Sequence, residues 1–208
     1  MPGPVFAEGE TVTLRTIEEE DLDFLQRGRN HPEIRRPLTD ADPRNGEQIR
    51  EYFENSVSND DGFGFLICVA DRREATEAVS GEAANSTDGA EADDADDDPT
   101  PVGAVHVPWI RSREGVGMLM YWVLPEHQGN GYVTEATELA LDYAFEERRL
   151  AKVFAHVLVP NEGSWHVLEK LGFQREGRQR KESFVDGERV DTYRYGLLAE
   201  EWLDTSGP

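Results

Sequence analysis

The sequence predicts a mixed α/β fold, α+β in character, built as one domain. Three observations carry this expectation. Strand-like runs such as "TVTLRTI" (11–17) and "VFAHVLV" (153–159) are interspersed with segments of helical period. Two apolar runs joined by a short polar link form a meander in the middle, and an Asp-Gly pair closes a hairpin near the end. A length of 208 residues suits one well-filled core and is marginal for two.

The elements follow in order. In "TVTLRTI", Val12 and Leu14 share one face of a first strand. The segment "EEEDLDFLQRGRN" (18–30) opens with acids, which suit a helix N-terminus, and carries Leu22, Phe24 and Leu25. Pro32 and Pro37 break the chain before a second amphipathic helix, "NGEQIREYFENSV" (45–57). "GFGFLICVADR" (62–72) reads as a buried strand. Residues 73–99 hold little to bury, so they are expected as a flexible insertion between strands, not a linker between domains. "PVGAVHVPWI" (101–110) and "VGMLMYWVL" (116–124) are the arms of the meander, joined by "RSREG". In the helix that follows, Ala136, Leu139, Ala140, Tyr143 and Ala144 form one stripe, with Arg148 and Arg149 near its C-terminus. "NEGSWHVLEKLGF" (161–173) is a helix with Asn161 at its start and Gly172 as a left-handed C-terminal cap. The closing hairpin turns at Asp186-Gly187. The order is therefore β-α-α-β-β-β-α-β-α-β-β.

Charge narrows the function. Forty-three acidic side chains face 21 basic ones, of which only Lys152, Lys170 and Lys181 are lysine, for a formal net charge of −22. Residues 71–100 account for −9 of this, so the excess is spread over the rest of the chain as well. Such a surface disfavours general nucleic-acid binding and docking on anionic lipid. It suits a halophile, whose salt-rich cytosol an acidic, lysine-poor surface keeps hydrated; a solvated face plus one acidic loop is the plainer reading. Cys68 is the only cysteine, which removes an internal disulfide framework or thiolate zinc site and suits a small buried hydrophobe. The N-terminus lacks basic and apolar signal regions, and no run reaches membrane-spanning length, so a soluble cytoplasmic protein is expected. Five scattered histidines show no metal-ligand spacing, and no metal is expected. His106 is read as a core or edge histidine, and His127 as ordering its loop.

The most informative stretch is "EHQGNGYVTEA" (126–136), where Gly129 and Gly131 bracket Asn130 at a strand-to-helix turn. A helix N-terminus behind a glycine loop offers unpaired N–H groups and a positive dipole end, which together bind phosphate. A P-loop would require a Lys-Ser/Thr pair that is missing. A dinucleotide fingerprint would require glycine where Thr134 stands, and repeated βαβ units. The Gln/Arg-x-x-Gly-x-Gly/Ala pyrophosphate loop matches Gln128, Gly129, Asn130, Gly131 and Tyr132, with Val133 as a departure.

In this the loop resembles that of the GNAT superfamily of N-acetyltransferases. From Glu8 to about Trp202 the chain resembles the ribosomal-protein N-acetyltransferase branch of that superfamily. Four segments carry the resemblance in order: "LRTIEEEDLDFL", "YWVLPEHQGNGYVTEA", "NEGSWHVLEKLGF" and "REGRQRKESFVDGERVDTYRYGLLAEEW". The insertion at 73–99 has no counterpart in the family pattern. The resemblance implies a single GNAT-type domain over residues 8–203. Its central, mostly antiparallel sheet would contain a splayed pair of strands, with helices on both faces.

The resemblance also implies a site. Acetyl-CoA would lie between the splayed strands, with the backbone of Trp122, Val123 and Leu124 along the pantetheine arm. The N–H groups from Gln128 through Gly129, Asn130, Gly131, Tyr132 and Val133 to Thr134 would hold the pyrophosphate. Asn161 would approach the pantetheine amides, and Ser164 would give a proton to the leaving thiolate. A simple capping pair accounts equally for Asn161 and Ser164. An amine attacking a thioester also needs an oxyanion donor, for which the N–H of Val123 or Leu124 is the candidate. Glu182 is the candidate base, but strand alternation sets it opposite Ser183; water is the alternative, and a solvated strand residue is the plainer reading of Glu182. The acceptor pocket is expected from the first two helices and the turn "SFVDGER". The acceptor is expected to be the N-terminal amine of a ribosomal or other protein. The alternatives are a small-molecule amine or aminoglycoside, and a non-catalytic CoA-binding sensor. The protein is expected as a monomer or homodimer.

Overall fold

The computed structural model describes residues 2–40, 42–57, 61–69 and 99–204. The expected acidic insertion at 73–99 lies outside the described residues except for Pro99. The described chain forms two five-stranded sheets that separate at one point, and this separation makes the site.

The first sheet has the order β1-β2-β3-β4-β7. Its strands are β1 (Val5–Glu8), β2 (Thr13–Arg15), β3 (Phe63–Val69), β4 (Thr100–Val107) and β7 (Met120–Val123). All its pairings are antiparallel. Where the sequence predicts one opening strand the structure has a hairpin, because Val5–Glu8 turns back onto Thr13–Arg15. β3 is buried on both sides, and its alternation sorts two cores. Phe63, Phe65 and Ile67 enter the main core. Leu66 and Cys68 enter a second core beneath α1 (Leu22–Asn30), α2 (Pro32–Arg35) and α3 (Gly46–Ser56). Burial pushes the Cys68 thiol up to about 12, as befits a packing residue.

Capping sets the helix boundaries on this side. Asn45 and Gln48 form a reciprocal capping box at the start of α3. Pro32, read from sequence as a breaker, instead starts α2 at the first helical position, where its missing N–H costs nothing.

The second sheet has the order β5-β6-β8-β10-β9. Its strands are β5 (Ile110–Arg111), β6 (Val116–Met118), β8 (Lys152–Leu158), β9 (Gln174–Val185) and β10 (Glu188–Leu198). The expected second arm of the meander, "VGMLMYWVL", is thus two strands. β6 pairs parallel with β8, whereas β7 pairs with β4 in the other sheet. The last bond across the division is the Leu119 N–H to Phe154 O, 2.7 Å. Beyond it β7 and β8 diverge.

Two helices cover the main core near this opening. α4 (Tyr132–Asp142) buries Ala136, Ala140 and Leu141, and its expected stripe continues through one π-helical turn, Tyr143–Glu147, that periodicity did not predict. α5 (Glu162–Lys170) ends at Gly172, φ +85°, the left-handed conformation expected of it. The β9–β10 turn has Asp186 at φ +51° and Gly187 at φ +87°, both left-handed as a two-residue hairpin turn requires. A short helix, α6 (Ala199–Leu203), closes the described chain. Among the described residues no helix is long and apolar enough to cross a membrane.

Candidate active site

The divergence of β7 from β8 opens a cavity of about 1060 Å³. It is lined by Gln128, Gly129, Gly131, Tyr132, Val133 and Thr134 of the glycine loop and the start of α4, and by Tyr121, Trp122, Val123, Asn161 and Ser164. Glu33, Arg36, Thr39, His156, Glu182, Ser183 and Thr192 complete the lining. The structure therefore brings nearly all the expected site residues to one cleft. Asn130 and Leu124 are not among its lining residues.

Gly129 and Gly131 stand at φ +80° and +85°, and a Cβ on either would meet nothing within 4 Å. The left-handed backbone demands glycine, and open space faces it. Gly131 is the N-cap of α4 without a side-chain hydrogen bond, so the helix begins with no side chain covering its N-terminal N–H groups. The Gly131 carbonyl takes the N–H of Thr134, 2.9 Å, and of Glu135, 3.2 Å. Asn130 turns inward on the loop and donates to His127 O at 3.0 Å and to Gln128 O at 3.3 Å. Asn130 thus shapes the loop with its side chain.

Strand phase decides which backbone groups face the cleft. The N–H of Leu124 donates to Val102 O at 2.9 Å, so the sheet consumes it and Leu124 is removed as an oxyanion donor. Antiparallel pairs alternate, which puts Trp122, opposite Ala104, in the same sheet-facing phase as Leu124. Val123 falls in the other phase, facing away from β4, and its carbonyl takes the Gln128 side-chain amide at 3.3 Å. Of the three expected backbone segments, only Val123 presents its N–H toward the opening. The Trp122 ring packs in the second core, 5.4 Å from that of Phe24.

Asn161 caps α5, its side-chain oxygen accepting the Ser164 N–H at 3.3 Å. The capping reading is therefore real, but it uses the Ser164 backbone and leaves the hydroxyl available. Tyr121 on β7 donates to the Ser164 carbonyl at 2.9 Å, and its oxygen lies 3.0 Å from Ser164 Oγ. Burial raises the Tyr121 phenol above its ordinary value, so it stays protonated.

Alternation fails as a guide to Glu182. Lys181 adopts φ +53°, and the β9–β10 register shifts between Val190 and Thr192. This bulge lets both Glu182 and Ser183 line the cavity, which corrects the expectation of opposite faces. Ser183 Oγ lies 3.0 Å from Thr192 Oγ1. His156 lies 3.2 Å through Nε2 from Arg194 Nη1, and since arginine only donates, that nitrogen accepts. Burial first, and then Arg194, lowers the His156 pKa, which keeps the ring neutral.

Tyr121, His156 and Arg36 escaped the sequence reading. Tyr121 had a signal, since on a strand it shares the face of Val123; His156 and Arg36 had none, because tertiary packing alone brings them to the cleft. His106 is wholly buried behind the sheet and does not face the cleft. Among the described residues no cluster of three or more His, Cys, Asp or Glu has the arrangement to hold a metal ion.

A sheet that opens between two strands, with a glycine loop and a bare helix start at one end of the gap, is the architecture of an N-acetyltransferase. The chain belongs to the GNAT acetyltransferases: residues 11–174 match the acetyltransferase (GNAT) domain. It is 25% identical over 195 residues to spermidine N(1)-acetyltransferase of Vibrio cholerae, covering 94% of this chain and 97% of that protein. A shorter match, 40% identical over 82 residues, links it to the putative ribosomal N-acetyltransferase YdaF of Bacillus subtilis, covering 39% of this chain and 45% of that one. The fold is similar to the crystal structure of spermidine N-acetyltransferase from Vibrio cholerae in complex with CoA and spermine, with a TM-score of 0.76 at 23% identity over 94% of this chain and 99% of that one.

Proposed function

We propose that the protein is an acetyl-CoA-dependent N-acetyltransferase acting on a small cationic amine of the polyamine class. The carrying observation is that two carboxylates from separate elements, Glu33 on α2 and Glu182 on β9, line the same cavity as the glycine loop. They offer counter-charges to an acceptor with more than one ammonium group. The full-length similarity to a spermidine acetyltransferase supports the same class. The match to the ribosomal enzyme spans less than half of either chain, so a protein N-terminus is the weaker reading.

Acetyl-CoA fits the residues present. The open space at Gly129 and Gly131 and the uncapped start of α4 suit its pyrophosphate. Val123 and Asn161 would meet the pantetheine. When bound, acetyl-CoA supplies a thioester carbonyl and a thiolate leaving group. The chain's own residues do the rest. The Val123 N–H points to the opening, where it can steady charge developing on the carbonyl oxygen. Glu182, through water, takes the ammonium proton so that a neutral amine attacks. Ser164 Oγ–H is the donor to the thiolate.

Mass spectrometry tests the proposal. Acetyl-CoA would be incubated with spermidine, an aminoglycoside and peptides with free N-termini in parallel. Monoacetylated spermidine as the dominant product is expected. Turnover confined to peptides would restore the protein N-terminus, and no turnover of any amine would leave a CoA-binding sensor.

A further inference from the structure

We infer that Tyr121 is the positioning residue that aims the Ser164 hydroxyl; the inference rests on the reading of Ser164 as thiolate proton donor.

The two residues are 43 apart in sequence and stand on opposite walls of the opening, Tyr121 on β7 and Ser164 in the first turn of α5. Tyr121 has one hydroxyl hydrogen and two partners. A carbonyl oxygen can only accept, so the 2.9 Å contact with Ser164 O takes that hydrogen. In the 3.0 Å contact Ser164 Oγ must then be the donor and the phenol oxygen the acceptor. The serine hydrogen is thereby placed, and its side chain is held in one of the three staggered wells a serine can occupy. Without that hold, a serine at a helix start turns its hydroxyl to nearby backbone groups.

The arrangement also orders the proton's path. As the thiolate forms it becomes a stronger acceptor than a neutral phenol, and Ser164 releases its hydrogen to sulfur. One O–H bond breaks and one S–H bond forms. The acceptor nitrogen loses two protons: the first leaves before attack by way of Glu182 to solvent, and the second, lost after attack, returns through water to Ser164 Oγ, which balances the transfer. Tyr121 exchanges no proton; its burial and raised pKa favour the intact phenol. The ring itself packs against the main core, a role phenylalanine would fill equally well.

A double-mutant cycle tests this, with acetyl-CoA and spermidine as substrates and thermal unfolding as a control. Tyr121→Phe should lower kcat about tenfold with unchanged KM for acetyl-CoA, the size expected for misaligning one proton donor. In a Ser164→Ala background, already lowered by roughly 10²-fold, Tyr121→Phe should have no further effect. An equal loss in both backgrounds would overturn the inference, as would Tyr121→Phe with normal kcat and a lowered Tm. Near-normal kcat in the Ser164→Ala single variant would instead remove the underlying reading of Ser164, and with it the inference.

Discussion

Arg36, just past the end of α2, reaches Asp186 in the β9–β10 turn with 3.1 Å between Nε and Oδ1. The pair ties together the segments that carry Glu33 and Glu182, the carboxylates proposed to meet the acceptor. Both side chains are well exposed, 48% and 63%, so the tie contributes little to folding, about 0–1 kcal/mol. Its effect should appear in acceptor binding. Arg36→Ala is expected to leave Tm nearly unchanged and to raise the KM for spermidine, while the KM for acetyl-CoA stays the same. Steady-state kinetics in each substrate separates the two, and a rise in both would refute the assignment of the tie to the acceptor side.

A second tie is buried. Arg29 on α1 meets Asp40 at 2.7 Å with both side chains about nine-tenths buried, and Arg44 reaches the other oxygen of Asp40 at 2.6 Å. This anchors the loop that follows α2. Asp40→Ala leaves Arg29 buried and unpaired, at a cost of about 3–5 kcal/mol. Urea unfolding should show that loss, and a midpoint equal to the parent's would contradict it.

The ties explain what the sequence could and could not disclose. Gly172 and Asp186-Gly187 were legible because local backbone geometry alone demands those residues there. The glycine loop was legible for the same reason, since Gly129 and Gly131 adopt conformations other residues avoid. The split of "VGMLMYWVL" was not legible: Leu119 divides a uniformly apolar run, and only the departure of β7 toward β4 reveals it. The bulge at Lys181 was equally hidden, because arginines and glutamate on a solvent-facing strand carry no alternation to interrupt. Arg29 and Asp40 look like surface charges in the sequence; burial is a property of the packed helices. Asn161 and Ser164 stand at a helix start as the sequence indicates; Tyr121 shares the strand face of Val123, but its contact with Ser164 comes only from the approach of β7 to α5.

His106 predicts an acid sensitivity. It is 1% exposed, its Nδ1 has no hydrogen-bond partner, and burial first, then Arg29, pushes its pKa down from about 6.5 to about 3. The unfolded chain takes the proton first as pH falls. Stability from the neutral ring is therefore complete above about pH 6.5 and declines progressively toward pH 3. Relative to His106→Leu, the parent should lose more stability between pH 7 and pH 4.5. Urea midpoints that fall in parallel for the two proteins would contradict this.

Salt should act oppositely on the two substrates. A chain of formal charge −22 repels polyanionic acetyl-CoA and attracts a polycationic amine. The Debye length is about 30 Å at 0.01 M ionic strength and about 3 Å at 1 M. From low salt to about 1 M KCl, acetyl-CoA affinity is expected to strengthen and the spermidine KM to rise. Folding stability should also increase as the carboxylates are screened. Calorimetry and kinetics at several salt concentrations test this, and an acetyl-CoA affinity that falls steadily with KCl would contradict it.

If the start of α4 holds the acetyl-CoA pyrophosphate, as proposed, a side chain at Gly131 should abolish cofactor binding. Gly131 has φ +85° with open space where a Cβ would stand. A β-branched residue there both strains the turn and fills the space before the helix N-terminus. Gly172 supplies the control: it has the same φ, +85°, but lies at the far end of α5, so Gly172→Val carries similar strain away from the loop. The measurement is acetyl-CoA titration calorimetry on the parent and both variants, with thermal unfolding to confirm that each is folded. No measurable binding is expected for Gly131→Val, and parental affinity for Gly172→Val. Parental affinity in a folded Gly131→Val protein would contradict it.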